Sequence, residues 1–333
     1  MIHKLYHIKM KNLSLLLLFI VAGIFSRAFS QPVPAQDENI PFLVTFGADA
    51  CPSWGDDNFT QTFFFLIPDE HTEPVYIRVY NPAIGGSIDE LNGYWDTKVN
   101  YSVYGGDEAW SHPDAQGVAP EGNYRSGNLL ASRTFGNEPE YDARWYTFGP
   151  FDPVEGEYIE KFAGHIIKII AQGIEGDDGS LYRYFLSTQP DQNIPVEGGN
   201  AFAYSYTFRM WDDPSQVSHI YPFIDDETVT VEVSNFDWDY DGIIRLVSVD
   251  RQGQLLEVSG DNNWAHDRFT IYEAERNTSL DLQLHKRESP VVRNNNVVIS
   301  IKNQYDQALP FYVIPIGGVP QYQHSIGVRP SGN

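Results

Sequence analysis

Short runs rich in Val, Ile, Tyr, Phe and Thr recur along residues 37–316, and Gly, Pro, Asn and Asp separate them. Each half of this stretch holds about seven such runs, as strand and turn propensities predict for small β-domains. No segment sustains a helical period over three turns. The pattern therefore predicts an all-β protein built of sandwich or jelly-roll units.

The apolar runs match in order between the two halves, which is the mark of an internal repeat. The matched runs are 63–68 with 206–211, 75–80 with 229–234, 99–104 with 243–248, Leu129-Leu130 with Leu255-Leu256, 142–148 with 267–272, 164–172 with 296–304, and 181–187 with 309–315. We predict two tandem β-sandwich (jelly-roll-like) domains, 37–188 and 201–316, with a Pro/Gly-rich linker at 189–200 and a flexible tail at 317–333. Two unrelated sandwiches with similar strands are the alternative.

The first thirty residues have the layout of a signal peptide. Lys4, Lys9 and Lys11 precede an apolar run at 13–24, and Ala28-Phe29-Ser30 forms a small-residue cleavage site before Gln31. The run is shorter than the roughly twenty residues that cross a bilayer. We expect residues 1–30 to be removed from an exported protein, in the periplasm, at the cell surface or outside the cell; an uncleaved anchor is the alternative.

The charge balance limits the partners of the chain. With 22 Lys and Arg against 45 Asp and Glu, the formal net charge is −23. Such a chain repels phosphate backbones and anionic lipid, so we expect no nucleic acid partner and no membrane span in the mature chain. The one cysteine, Cys51, forms no internal disulfide, and we expect it to be a small apolar residue at a strand end; a reactive thiol or a bond to another chain is the alternative.

An acidic loop follows the second matched strand of each half. The loop in the first half carries Asp89, Glu90 and Asp96, and the loop in the second half carries Asp237, Asp239 and Asp241 before Gly242. Carboxylates spaced by one residue and followed by Gly can direct several oxygens at one point, which suits calcium. We predict calcium at both loops, with a solvated turn as the alternative. An EF-hand is excluded because Ser248 stands where its last ligand, Glu, would be.

Five tryptophans fall in predicted loops beside Gly, Asp or Asn. They are Trp54, Trp95, Trp110, Trp238 and Trp264. A loop Trp offers a flat apolar face for a sugar ring, with nearby carboxylates and amides for its hydroxyls. These residues therefore predict glycan binding, or else they close the ends of the sandwiches.

The sequence contains none of the usual catalytic motifs. We find no GxSxG elbow, HExxH, P-loop or Rossmann fingerprint, and only His266, beside Asp267, suggests general-base geometry. A jelly-roll glycoside hydrolase needs only two suitably spaced carboxylates, so it remains an alternative. We expect a protein that is not an enzyme.

Residues 79–106, with their Asn-Pro, Gly-Gly, Asp-Glu, Asp-Thr and Tyr-Gly-Gly marks, resemble the calcium-associated β-sandwich modules of exported bacterial proteins, the group that includes pre-peptidase C-terminal domains. The resemblance covers under a tenth of the chain. It implies a non-catalytic module that aids secretion, adhesion or substrate contact. The expected function is an exported binding or surface-associated protein stabilised by calcium, with a glycan or another cell-surface protein as partner.

Overall fold

A computed structural model describes residues 32–119 and 122–323. The predicted signal peptide and the end of the predicted tail lie outside the described residues. In the described part, every helix is a 3₁₀ turn of three or four residues, and the other regular elements are β-strands. The predicted all-β class is confirmed, because aromatic and β-branched runs suit a pleated, half-buried surface.

The strands have the following bounds. The first half contributes β1 (Phe42–Phe46), β2 (Thr60–Pro68), β3 (Val75–Tyr80), β4 (Lys98–Gly105), β5 (Asn128–Phe135), β6 (Trp145–Phe151), β7 (Glu157–Ile159), β8 (Gly164–Glu175) and β9 (Gly179–Ser187). The second half contributes β10 (Asn200–Ala203), β11 (Ser205–Arg209), β12 (Val217–Ile220), β13 (Phe223–Ile224), β14 (Thr230–Phe236), β15 (Gly242–Val247), β16 (Gln252–Leu256), β17 (Trp264–Thr270), β18 (Thr278–Ser279), β19 (Asp281–Lys286), β20 (Asn296–Asn303) and β21 (Phe311–Tyr312).

Three antiparallel sheets of four or more strands make up the described residues. The shared sheet has the order β17-β14-β20-β11-β1-β9-β3-β6. The first-half sheet has the order β21-β10-β2-β8-β4-β5, with β7 also paired to β8, and the second-half sheet has the order β12-β19-β15-β16. The pair β13-β18 stands apart. The shared sheet therefore contains strands from both halves.

The pairing orders of the two halves correspond position by position. From its middle, the shared sheet reads β1-β9-β3-β6 in one direction and β11-β20-β14-β17 in the other, and β2-β8-β4-β5 corresponds to β12-β19-β15-β16. The sequence matches agree with this order for β3 to β6 and β14 to β17. They disagree with it for β2, β8 and β9. The sequence matched these strands with the runs at 206–211, 296–304 and 309–315, whereas their positions in the sheets correspond to β12, β19 and β20. Apolar runs alone do not distinguish neighbouring core strands.

Strand pairing joins the two halves directly. Strand β1 pairs with β11, with Phe42 opposite Arg209, and β10 pairs with β2, with Ala201 opposite Phe65. The predicted linker at 189–200 therefore leads straight into a strand of the first-half sheet and does not separate two independent sheets. Edge strands carry unpaired backbone groups, and pairing across the halves satisfies them.

One apolar core runs through both halves, from Leu43 and Phe63 to Ile299. The largely buried segment 33–40 also ties the halves together. Its Val33 exchanges backbone hydrogen bonds with Tyr184 of β9, and its Glu38 accepts a hydrogen bond from the backbone N–H of His219 in β12. Unfolding of either half alone would break the contacts of this segment with β9 or with β12.

Two smaller predictions can be compared with the structure. Cys51 is exposed, with Sγ 3.0 Å from Ser53 Oγ, so its predicted place in a strand end is wrong. The described part of the predicted tail, 317–323, contains no strand, yet the backbone N–H of Gln323 donates to the Val249 carbonyl at 2.9 Å.

Candidate functional site

The acidic loop of the second half, residues 237–241, joins β14 to β15 in a tight curl. Asp237, Asp239 and Tyr240 adopt positive φ of 57°, 60° and 51°, a region that short polar side chains enter more easily than most. The backbone N–H of Tyr240 donates to the Ser259 carbonyl at 2.8 Å, and that of Asn262 donates to Asp237 Oδ1 at 2.6 Å. The loop is therefore held against residues 257–263, which join β16 to β17.

This contact brings three carboxylates together. Oxygens of Asp237, Asp239 and Asp261 lie within 4.8 Å of one another. Burial, with a smaller contribution from the nearby Asp239 and Asp261 carboxylates, raises the pKa of Asp237 to about 7. Burial also raises the pKa of Asp239, and again Asp261 adds to the shift. An all-oxygen cluster of repelling carboxylates is suited chemically to a hard cation.

Asp261 was missed in the sequence because it stands alone after Gly260, twenty residues beyond the DxDxDG motif. Only the pairing of β14 with β17, where Phe236 lies opposite Trp264, brings the two loops together. The Gly-Asp-Asn-Asn turn at 260–263 is the local signal that could have pointed to it.

Asp241, the third acid of the motif, does not join the cluster. Its side chain is buried and forms an ion pair with the buried Lys286 Nζ at 2.8 Å. Arg287 Nε lies 3.6 Å from Asp241 Oδ1, and Asn295 Nδ2 donates to Oδ2, the oxygen paired with Lys286, at 3.3 Å. Asp241 therefore anchors the loop to the β19–β20 connection, and the prediction that it faces a metal is wrong.

In the first half, Asp96 meets Asp177 and Asp178 of the β8–β9 turn, with oxygens within 4.8 Å. The buried Asp178 carboxylate accepts hydrogen bonds from the backbone N–H groups of Asn92, Asp96 and Thr97 at 2.9, 3.0 and 3.3 Å. These donors already compensate its charge. The first cluster therefore ties the β3–β4 loop down and has less need of a cation than the second.

Asp89 and Glu90 do not reach this first cluster. Asp89 accepts from the backbone N–H groups of Gly85 and Gly86, both at 3.0 Å, and of Leu181 at 3.1 Å. Glu90 forms an ion pair with Arg209 across the junction of the halves. Both side chains hold the loop and the junction, so their predicted role as metal ligands does not fit the geometry.

The five predicted ligand-binding tryptophans separate by exposure. Trp238 is fully buried in the common core, so its predicted role at the surface is wrong. Trp54 packs on Phe46 with ring centroids 5.9 Å apart, and it is partly buried, as is Trp95. Trp110 is largely buried, and Trp264 is 40% exposed, beside the carboxylate cluster. Of the five, Trp110 lines a cleft and Trp264 lies beside the carboxylate cluster.

His266 contacts Ser234 Oγ through Nδ1 at 2.8 Å. Glu232 approaches the same nitrogen at 3.8 Å. A Ser-His-acid relay needs the nucleophile and the acid on opposite ring nitrogens. This arrangement does not meet that requirement.

No protein-family model matches the chain. No curated protein matches it either. A solved structure described as a candidate secreted protein from Parabacteroides distasonis is similar over 74% of this chain and 75% of its own, with 10% identity and a TM-score of 0.17. A score of this size carries no argument about fold or function. Within residues 32–119 and 122–323, no helix is long and apolar enough to cross a membrane.

Proposed function

We propose that this chain is an exported, non-catalytic binding protein whose second-half acidic loop takes up calcium. The observation that carries the proposal is the cluster of Asp237, Asp239 and Asp261. Asp237 is buried, Asp239 is half-buried and Asp261 is exposed, and no lysine or arginine among the described residues is bonded to any of the three. Lys286 and Arg287, the nearest cations, are engaged by Asp241. A bound cation would relieve the repulsion that raises the pKa of Asp237.

Calcium suits the cluster better than a transition metal, because His and Cys ligands are absent from the two described clusters of possible metal ligands. Zinc favours sulfur and nitrogen ligands, and magnesium demands near-ideal octahedral geometry. Calcium also tolerates an irregular, flexible coordination shell that water can complete.

Thermal unfolding of the mature chain in EDTA and in 10 mM calcium tests the proposal, the concentration being about 100 times a Kd of ~0.1 mM typical of extracellular modules. A ligand that binds only the folded state then adds about 2.7 kcal/mol of stability. For a domain of this size, the melting temperature should rise by about 5 °C.

The variant Asp239→Asn/Asp261→Asn makes the test specific. Since it removes the repulsion, it should be at least as stable as wild type in EDTA and should gain nothing from calcium. The control Glu273→Gln, at an exposed acid in a 3₁₀ turn, should keep the full gain. An unchanged wild-type midpoint, or a variant that still responds, would contradict the calcium proposal.

We also propose that the two halves arose by duplication, as the matching pairing orders support. The two acidic loops, β3–β4 and β14–β15, then occupy the same position. Their chemistry has diverged: the first is closed by backbone donors to Asp178, whereas the carboxylates of the second keep most of their oxygens free.

Carbohydrate binding is the second candidate function. It is favoured by a large cleft beside Trp110. A carboxylate-pair hydrolase is distinguished from a binding protein by release of reducing ends from a polysaccharide, and we expect no release.

A further inference from the structure

The two halves differ most in one connection, which joins β4 to β5 in the first-half sheet and the corresponding β15 to β16 in the second-half sheet. In the second half β15 and β16 are joined by residues 248–251, whereas in the first half β4 and β5 are joined by residues 106–127. This β4–β5 insert, described at 106–119 and 122–127, folds over the outer face of the first-half sheet. Its Trp110 and Ala115 pack there with Phe64 and Phe202.

Buried charged side chains hold the insert in place. Glu157 of β7 accepts hydrogen bonds from the backbone N–H of Trp110 at 2.5 Å and of Ser111 at 2.9 Å. Lys168 of β8, fully buried, donates from Nζ to the Tyr124 carbonyl at 2.6 Å. Burying charged groups is costly. These buried groups therefore fix the position of the insert on the sheet.

The indole of Trp110 is fixed as well. Its Nε1 donates to Tyr204 Oη at 3.0 Å, and its ring meets Phe162 edge to face with centroids 5.4 Å apart. Lys161 Nζ lies 4.6 Å from the ring centroid, but its side chain is exposed and can move aside. Trp110 is therefore held in one orientation with 9% of its surface exposed. Its accessible part is preorganised, whereas a mobile ring would lose entropy on binding.

A cleft of about 1140 Å³ opens beside this tryptophan. The insert and the 159–162 turn form one wall, and residues 223–227 and 302–310 of the second half form the other. Its aromatic lining is Trp110, Phe162, Tyr204, Phe223 and Tyr312. Typical small-molecule sites occupy about 300 to 1,000 Å³. The cleft therefore has room for several linked sugar units, and the two halves build it together.

The polar groups of the cleft suit hydroxyl-rich ligands. Carboxylates of Asp225, Asp226 and Glu227 and side-chain amides such as Gln116 and Gln307 lie around the aromatic floor. Aromatic faces bind the C–H face of a sugar, and carboxylates and amides bind its hydroxyls. This combination distinguishes the cleft from an apolar groove that would take a lipid or a helix.

The charges of the cleft favour a neutral ligand. Four acids, Asp225, Asp226, Glu227 and Asp306, face two lysines. One of these, Lys302, is paired with Asp306 at 3.0 Å. Together with the net charge of −23, this field repels sulfated and uronic glycans.

We propose that the cleft between the β4–β5 insert and the 223–227 and 302–310 segments binds a neutral oligosaccharide. This site is separate from the calcium cluster and deepens the carbohydrate-binding alternative. The cleft is an elaboration on the repeated scaffold, where binding sites commonly lie.

Affinity electrophoresis of the mature chain tests the proposal, with laminarin, xyloglucan, galactomannan and soluble starch as neutral polysaccharides and heparin and polygalacturonate as anionic ones. The gels are run in EDTA and again in calcium. We expect at least one neutral polysaccharide to retard the protein under both conditions, and no retardation by the anionic ones. Binding in EDTA separates this result from the calcium proposal.

Two variants locate the binding. Trp110→Ala should weaken it at least tenfold, but it also removes packing, so the exposed pair Asp226→Asn/Glu227→Gln supplies a second variant that should weaken binding about tenfold with an unchanged melting temperature. Trp264→Ala, which removes an exposed ring outside the cleft, is the control and should bind like wild type. The proposal is overturned if no neutral polysaccharide binds, if only the anionic ones bind, if Asp226→Asn/Glu227→Gln binds like wild type, or if Trp264→Ala abolishes binding.

Discussion

Glu38 allows a direct test of how the N-terminal segment stabilises the protein. Its side chain is fully buried and accepts hydrogen bonds from the Ala35 N–H at 2.5 Å and from Tyr206 Oη at 2.8 Å. Burial raises its pKa from 4.5 to about 8. The folded protein therefore keeps a proton that the unfolded chain releases as the pH rises above about 4.5.

The sign and size of the effect follow from proton linkage. Because the folded state binds more protons, this contribution to stability is complete below pH 4.5, falls as the pH rises, and is lost above pH 8. At about 1.4 kcal/mol per pKa unit, the whole shift corresponds to at most about 5 kcal/mol. Glu38→Gln cannot ionise and keeps an acceptor oxygen for Tyr206. We expect it to match wild type near pH 5 and to be more stable by several kcal/mol at pH 8.5.

Urea unfolding at pH 5, 6, 7 and 8.5, followed by far-UV circular dichroism and by tryptophan fluorescence, measures this difference. Asp56, Asp89 and Asp237 also have raised pKa values of about 7, but they act equally in both proteins. The difference between wild type and variant therefore isolates Glu38, with Glu273→Gln as the exposed control. If wild type and Glu38→Gln lose stability with pH in parallel, the reasoning is refuted.

Two further substitutions test the contacts that hold the second-half acidic loop and the β4–β5 insert in place. Gly242→Ala should destabilise the protein by about 2 kcal/mol or more, measured by urea unfolding, because its Cβ would lie 1.9 Å from the His285 carbonyl oxygen at a φ of +155°; wild-type stability would contradict the close packing after the acidic loop. Lys168→Met removes the donor to Tyr124, so amide hydrogen exchange in the β4–β5 insert should accelerate about tenfold or more while the exchange of β14 stays unchanged. Unchanged exchange of the insert would mean that Lys168 does not hold it.

The local sequence pattern predicts the all-β class of the fold and part of the correspondence between the strands of the two halves. The matched runs in β3 to β6 and β14 to β17 agree with the strand pairing orders, because each is bounded by its own turn residues. The two acidic loops could be placed at the same position for that reason. By contrast, the matches proposed for β2, β8 and β9 disagree with the pairing orders, since an apolar run alone does not show which of several buried strands it corresponds to.

The all-β architecture, the negative charge and the position of the acidic loops could be predicted from the sequence, because strand propensity, turn residues and ionisable groups are properties of neighbouring residues. Tertiary structure alone decided which side chains meet. Asp261 joins Asp237 only because β14 pairs with β17, Asp241 faces Lys286 instead of a cation, and Trp238 turns into the core. The cleft lies between segments more than a hundred residues apart. Such contacts depend on nonlocal strand pairing, which no local periodicity encodes.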